Sequence, residues 1–386
     1  MILPNSVKEA MNILQNAGHE CFAVGGCVRD YVMGRTPGDY DLTTNALPTE
    51  IIACFEGYRI IETGLKHGTV TVVIEGNNVE ITTYRIDGEY KDNRHPDNVR
   101  FTPLLSEDLA RRDFTVNAMA YCENSGLVDL FGGRADAENK IIRCVGEPDL
   151  RFNEDGLRIL RALRFASVLG FGIEEATSKS IFRNKELLVN ISKERIFSEL
   201  TKLICGVGAE SVIKKYSEVF EICIGEKVNP EGLNSVCTSA DCRYAVLLRD
   251  CKDVKSVMRS LRADNKTCDF AAKVCPRLTC EFNCDADVKR LIRDIGIKNA
   301  ELFGEVIKAV WDKDRVFDFN NRLISVKNDC CTVKQLDING DDMKKLGLSG
   351  PDVGRVLNSV LDAVIDGCLE NNKSKLLDFV KTMLDN

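Results

Sequence analysis

An α+β domain followed by an all-helical remainder is the fold class this sequence predicts, on three observations. Short β-branched runs mix with amphipathic stretches over residues 20–80; strand signals fade after about residue 140; beyond that point apolar residues recur at helical spacing with glycine stops. Taken in order, residues 7–17 are amphipathic and predict a helix. The apolar run Cys21-Phe22-Ala23-Val24 reads as a strand, Gly25-Gly26 as a turn, and residues 28–33 as a second helix. Residues 40–42, 69–74 and 79–83 predict strands, because β-branched residues dominate the last two runs. Residues 85–100, with Gly88, Asp92, Asn93, His95 and Pro96, are polar and turn-rich and predict a mobile loop. Residues 155–169 place apolar side chains at 157, 159, 160, 163, 165, 166 and 168 before Gly170, which is a helix with a C-terminal stop. Residues 192–204 give another helix, with Ile196, Leu200, Leu203 and Ile204 on one side. The rest reads as helical, interrupted near residues 225–232 and 329–340, without a fixed-period repeat.

Composition narrows the function classes. With 386 residues, 44% hydrophobic and 29% charged, the chain is long enough for two or three packed units, which excludes a disordered or fibrous protein. No apolar run approaches a membrane span, and residues 1–5 lack a basic-then-apolar leader, so a cytoplasmic protein is expected. The seventeen cysteines suit that address if reduced: their number is odd and they form no CxxC pair. Most are expected to be small buried apolar residues. Cys275, Cys280 and Cys284 lack zinc-site spacing and partner histidines. The three histidines, His19, His67 and His95, all lie early, so the second half is not a histidine-dependent metal phosphohydrolase.

The net charge of −7 argues at first against nucleic acid. Residues 1–205 carry 24 Lys+Arg against 30 Asp+Glu, a net of −6, and residues 206–386 carry 28 against 29, a net of −1. The cation type differs between them: 16 Arg and 8 Lys in the first segment, 10 Arg and 18 Lys in the second. Arginine's planar fork suits phosphates and base edges, which points to directed contacts in the first segment.

Chemistry concentrates there. Gly25-Gly26 follows an apolar strand and opens a helix, so its amides can approach an anion at the end where the helix dipole favours negative charge. Arg29 stands one helical turn on. In Asp39-Tyr40-Asp41, strand alternation would turn two carboxylates to one side, where they repel each other unless a cation lies between. Magnesium, completed by water and substrate phosphates, is the usual occupant. An isolated pair would be a solvated strand end; with Gly-Gly and Arg upstream the pattern turns toward a nucleotidyltransferase.

Residues 24–30 (Val-Gly-Gly-Cys-Val-Arg-Asp) and 34–44 (Gly-Arg-Thr-Pro-Gly-Asp-Tyr-Asp-Leu-Thr-Thr) resemble the head of the bacterial-type (class II) tRNA nucleotidyltransferases, the CCA-adding enzymes, and of their relatives the bacterial poly(A) polymerases. The resemblance continues through residues 111–120 (Arg-Arg-Asp-Phe-Thr-Val-Asn-Ala-Met-Ala), 154–158, 161–165 and Glu194-Arg195-Ile196 with Glu199. It implies a polymerase-β-like head at residues 1–139, a helical neck at 140–205 for base recognition, a helical body at 206–328 and a tRNA-binding tail at 329–386. The implied activity is template-independent addition or repair of the tRNA 3′ CCA from CTP and ATP. An A-adding-only enzyme, a poly(A) polymerase and a catalytically silent RNA-binding protein are the alternatives.

The implied chemistry needs no protein nucleophile, since positioning and charge neutralisation supply most of the rate. Two Mg2+ ions held by Asp39 and Asp41 would activate the RNA 3′-hydroxyl and stabilise pyrophosphate. Glu80 is either a third carboxylate facing them or an exposed strand glutamate. Gly26 and Arg29 would hold the triphosphate. The resemblance gives Arg112 the sugar or phosphate and leaves Arg111 a possible surface residue; Asn117 donates to the sugar or caps a helix. Cytosine and adenine each show an amino donor beside a ring-nitrogen acceptor, so Asp155 beside Arg158 complements both and opposes uracil and guanine. At i,i+3 the two would share a helix face, or form a plain intrahelical ion pair. Arg161 and Arg164 extend the stripe, and the resemblance makes them nucleotide-contacting too. Glu194, Arg195 and Glu199 are expected to support the Asp155 helix.

Residues 87–95 correspond to the flexible loop of A-adding relatives, so A addition is expected. Residues 337–371 resemble the tail of the shorter CCA-adding enzymes more loosely. Gly347, Gly350 and Gly354 are expected there to permit close helix packing, with backbone approach to RNA phosphate as the other reading. The absence of a basic C-terminal extension favours tRNA over a poly(A) substrate.

Overall fold

The computed structural model describes residues 1–87 and 99–385, and the side chains of Asp87 and Val99 are outside that description. It divides into two compact units, Met1–Glu226 and Lys227–Asn386.

The first unit begins with α1 (Asn5–Asn16), which buries Val7, Ala10, Met11 and Leu14, a stripe at helical spacing, against the strands that follow. β1 (Cys21–Val24) turns through Gly25 into α2 (Gly26–Val32). β2 (Asp41–Thr44), α3 (Pro48–Cys54), β3 (Arg59–Ile61), β4 (Thr69–Ile74) and β5 (Asn77–Thr83) follow. The alternation of β5, with Val79, Ile81 and Thr83 buried and Asn78 and Glu80 exposed, puts one face on the core and the other at the surface. β6 (Arg85–Asp87) pairs with β7 (Val99–Phe101), so the ends of the expected loop form a short antiparallel ribbon. Residues 88–95, on which the expectation of A addition rests, lie outside the described residues.

After α4 (Leu105–Ala110) and a 3₁₀ turn at Thr115–Asn117, β8 (Met119–Cys122) and β9 (Gly126–Asp129) complete a sheet of seven strands among the described residues, ordered β3-β4-β5-β2-β1-β8-β9. Its neighbours are antiparallel except β2 and β5, which run parallel. The helical part then holds α5 (Gly133–Glu138), β10 (Ile141–Ile142), α6 (Pro148–Glu154), α7 (Leu157–Leu169), β11 (Gly172–Ile173), α8 (Glu175–Asn184) and α9 (Lys193–Ile204). Gly170 closes α7 at φ 71°, as the sequence predicts.

Two expected placements need correction, and both matter below. β2 starts at Asp41, so Asp39 precedes the strand. Asp155 is extended (φ −141°, ψ 106°) and lies between α6 and α7, so it shares no helix face with Arg158. The sequence reading also missed β3, β8, β9 and the two-residue pair β10–β11. Met119-Ala120-Tyr121-Cys122 has no β-branched residue; pairing with β1 makes it a strand.

The second unit is helical. Its last core packs Ile338, Met343, Leu357, Val360, Leu361, Leu376 and Val380 from the helices Gly340–Lys345, Pro351–Ile365 and Lys373–Asp385 and the segment before them. Close packing does not explain its glycines: a Cβ built at Gly347, Gly350 or Gly354 meets no atom within 4 Å. Gly347 and Gly350 instead have φ of 88° and 57°, a backbone region that side chains disfavour. No described helix is long and apolar enough to cross a membrane. All seventeen cysteines are free thiols; nine are buried and four exposed.

Candidate active site

The parallel β2–β5 ladder places Asp41 directly opposite Glu80, so both side chains stand on one face of the sheet. Asp39 reaches the same place from the preceding loop. All three line a cleft of about 780 Å³ with Gly38, Asn78 and Ser6. The surrounding protein raises the Asp41 carboxyl above its usual range; Glu80 and Asp39 add like-charge repulsion, and Arg112 opposes them.

A hard divalent cation fits this chemistry, since oxygen donors crowd where their charges repel. Among the described residues no group of three carboxylate, thiol or imidazole ligands is placed to hold an ion unaided. Asp39 and Asp41 would therefore bind the ion together with water and substrate oxygens.

Beside the carboxylates, Gly25 has φ 79° and ψ −129°, and a Cβ built there would come within 3.3 Å of Arg112 Nη1. Gly26 opens α2 with Arg29 Nη2 at 3.6 Å from its virtual Cβ. Glycine is needed at position 25 for the positive φ of the turn, whereas a Cβ at position 26 would make only ordinary contact with the guanidinium. Arg29 donates to Asp30 at 2.8 Å and to Asn117 Oδ1 at 2.9 Å. Asn117 ends the 3₁₀ turn and caps no helix; its Nδ2 donates to Asp113 Oδ1 at 3.2 Å.

Asp113 is the buried hub. Its carboxylate accepts from the Phe114 amide at 2.9 Å and from Arg161 Nε at 2.8 Å. Burial alone would raise its pKa, but Arg161 and the hydrogen bonds outweigh burial and hold the group below the ordinary carboxylate range. Asp108 behaves alike, between Arg111 at 2.8 Å and Arg112 at 3.1 Å. Arg111 is therefore half-buried and engaged, and Arg112 Nε is buried with no hydrogen-bond partner among the described residues.

Asp155 and Arg158 do not pair with each other. Asp155 Oδ2 accepts from Arg195 at 2.9 Å, while Arg158 pairs with Glu154 and donates to the Arg111 carbonyl at 3.1 Å. Their spacing is fixed by the backbone, since Arg158 N donates to Asp155 O at 2.9 Å. Arg164 bonds Glu199 at 2.6 Å, so α9 supports the segment from both Arg195 and Glu199. Phe165 gathers three guanidiniums around one ring, those of Arg164, Arg29 and Arg161 at 3.9, 5.4 and 5.6 Å from its centroid.

The sequence reading missed Asp108 and Glu154 as anchors and Phe165 as a hub. For the two carboxylates the signal was present, in i,i+3 and i,i+4 spacing to Arg111, Arg112 and Arg158. Phe165 had none, because its partners come from α2 and α7 together.

A mixed sheet with carboxylates on adjacent strands, a Gly-Gly turn into a helix and an arginine-rich helical flank define a nucleotidyltransferase. The model of the Poly A polymerase head domain matches residues 21–143, that of the polymerase A RNA- and SrmB-binding site residues 170–218, and that of tRNA nucleotidyltransferase domain 2 residues 242–380. CCA-adding enzymes of Geobacillus kaustophilus and Geobacillus thermodenitrificans are 34% and 36% identical, each alignment covering 94% of this chain and 93% of the relative. The Bacillus stearothermophilus CCA-adding enzyme solved in complex with CTP superposes with a TM-score of 0.82 at 30% identity, over 99% of this chain and 98% of that one. The fold, at 22% identity and a TM-score of 0.72, is also that of the Thermotoga maritima CCA-adding enzyme complexed with tRNA, over 99% and 96% of the two chains. This chain belongs to the CCA-adding enzymes, and it is a tRNA nucleotidyltransferase.

Proposed function

We propose that this chain builds and repairs the 3′-terminal CCA of tRNA from CTP and ATP, with chemistry at Asp39, Asp41 and Glu80. The observation that carries the reading is the Asp41–Glu80 register beside Asp39, one strand from the Gly25-Gly26 turn. The RNA 3′-oxygen forms a bond to the α-phosphorus, and the bond to the β-phosphate oxygen breaks to release pyrophosphate. Bound Mg2+ supplies Lewis-acid activation of the hydroxyl and charge neutralisation at the leaving group. Asp39 and Asp41 hold it, and Glu80 adds negative charge on the same face. Gly26, Arg29 and Arg112 bind the triphosphate, with Asn117 toward the sugar.

Asp155 and Arg158 present an acceptor and donors to the base edge, the first steadied by Arg195 and the second by Glu154, with Arg161 and Arg164 behind them. On this reading residues 1–139 carry the chemistry, 140–205 read the base, and the body at 206–328 and tail at 329–386 hold tRNA. A tRNA substrate and a full set of free thiols suit the cytoplasm.

The test is incorporation on tRNA transcripts ending at the discriminator base, at C or at CC, with CTP, ATP or both, read by sequencing the products. We expect CCA from the first transcript and A alone from the last; no incorporation sinks the enzymatic reading, and long A tails indicate a poly(A) polymerase. Asp39→Ala is expected to lower the rate by about a thousandfold while tRNA binding persists.

A further inference from the structure

The cleft that holds the three carboxylates is also lined by residues that the triphosphate site leaves unused. Gly25, Gly26, Arg29 and Arg112 are absent from its wall; Ser6, Asn77 and Asn78 are part of it. In-line displacement requires the attacking oxygen and the leaving pyrophosphate on opposite sides of the phosphorus. With the triphosphate held by the Gly-Gly turn and its arginines, the carboxylates form a boundary, and the nucleophile approaches from the cleft.

Asn78 is the side chain placed to meet it. It lies two residues before Glu80 on β5, which puts both on one face, about 7 Å apart along the strand. That separation is the scale of one ribose. Val79 and Ile81 between and beyond them point into the core. Asn77, by contrast, turns its amide back to the Glu75 carbonyl. Asn78 is exposed, and no hydrogen bond from the described residues engages its carboxamide, which carries both a donor and an acceptor for a hydroxyl.

We propose that this cleft receives the terminal nucleotide of the acceptor RNA and that Asn78 is a positioning residue, bonding its ribose 2′-hydroxyl so that the adjacent 3′-oxygen faces Asp41 and Glu80. The inference rests on the functional reading above and adds a subsite to it. Recognition of the 2′-hydroxyl makes the site selective for an RNA end.

The test pairs a residue change with a substrate change. Wild type and Asn78→Ala are assayed with ATP on tRNA ending in CC, carrying either an ordinary terminal ribose or a terminal 2′-deoxyribose. Each single change is expected to lower kcat/KM for tRNA about tenfold, the scale of one hydrogen bond, and the double change to cost no more than either alone, with KM for ATP unmoved. Losses that multiply, or an Asn78→Ala enzyme with wild-type kinetics, overturn the proposal. So does a rise in KM for ATP, which assigns Asn78 to the nucleotide side. Asn78→Gln, which keeps the carboxamide, is expected to recover part of the deoxy sensitivity and controls for folding. Failure of the functional reading is separately visible, since wild type would then extend neither RNA.

Discussion

Phe165 shows how a residue without polar atoms can govern a charged site. Its ring lies within cation–π range of Arg29, Arg161 and Arg164, and the Phe114 ring packs edge-on against it at 5.7 Å. Phe165→Leu keeps apolar volume but removes the π face. We expect KM for both CTP and ATP to rise by about tenfold with kcat changed less, and Phe165→Tyr, which retains the ring, to recover most of the loss. A purely structural role would lower thermal stability and leave the KM-to-kcat split where it was. At this scale the sequence was legible where chemistry left a local signature: Asp39 and Asp41 line one cleft, and the Gly25 turn lies against Arg112. Which carboxylates Arg161 and Arg164 meet was not legible, because Asp113 with Arg161 and Arg164 with Glu199 join residues 48 and 35 positions apart.

Among the elements, α7 and α9 followed their apolar spacing and β1 and β4 their apolar and β-branched runs, and all four were readable. β8 depended on its neighbour β1, and Asp155 depended on a break between two helices that apolar spacing alone does not mark. The packing of α7 onto the head runs through Asp113 and Arg161. Burial would raise the Asp113 carboxyl, yet Arg161 holds it below its unfolded value of about 3.9. The pair therefore adds stability above about pH 4, and that contribution is lost as the pH falls through the lower folded value. Asp113→Asn is expected to cost about 3 kcal/mol at pH 7 in urea unfolding, because it leaves Arg161 without its counterion. The gap to wild type should narrow as the pH drops below about 4; a constant gap across that range would place the stabilisation elsewhere.

For the whole molecule, an acidic total coexists with RNA as substrate because charge is sorted locally. Binding is expected to depend on arginines of the first unit and on lysines of the second, and thus on salt. If two to three phosphates are engaged, tRNA affinity should fall about tenfold to fortyfold for a fourfold rise in salt, measured by filter binding or anisotropy. A flat profile would contradict phosphate contact.

The carboxylates already attached to the arginines have a further effect. Arg29 has Asp30, Arg112 has Asp108, Arg158 has Glu154, Arg161 has Asp113 and Arg164 has Glu199. On the proposed reading an incoming nucleotide never meets a bare cation; it displaces a resident. Its binding free energy is a difference between two ion pairs, which keeps the grip shallow. Once pyrophosphate leaves, the residents recapture their partners and the site resets. On that reading, an enzyme that copies no template and takes C, C and then A is served by a pocket that retains no trace of the nucleotide before.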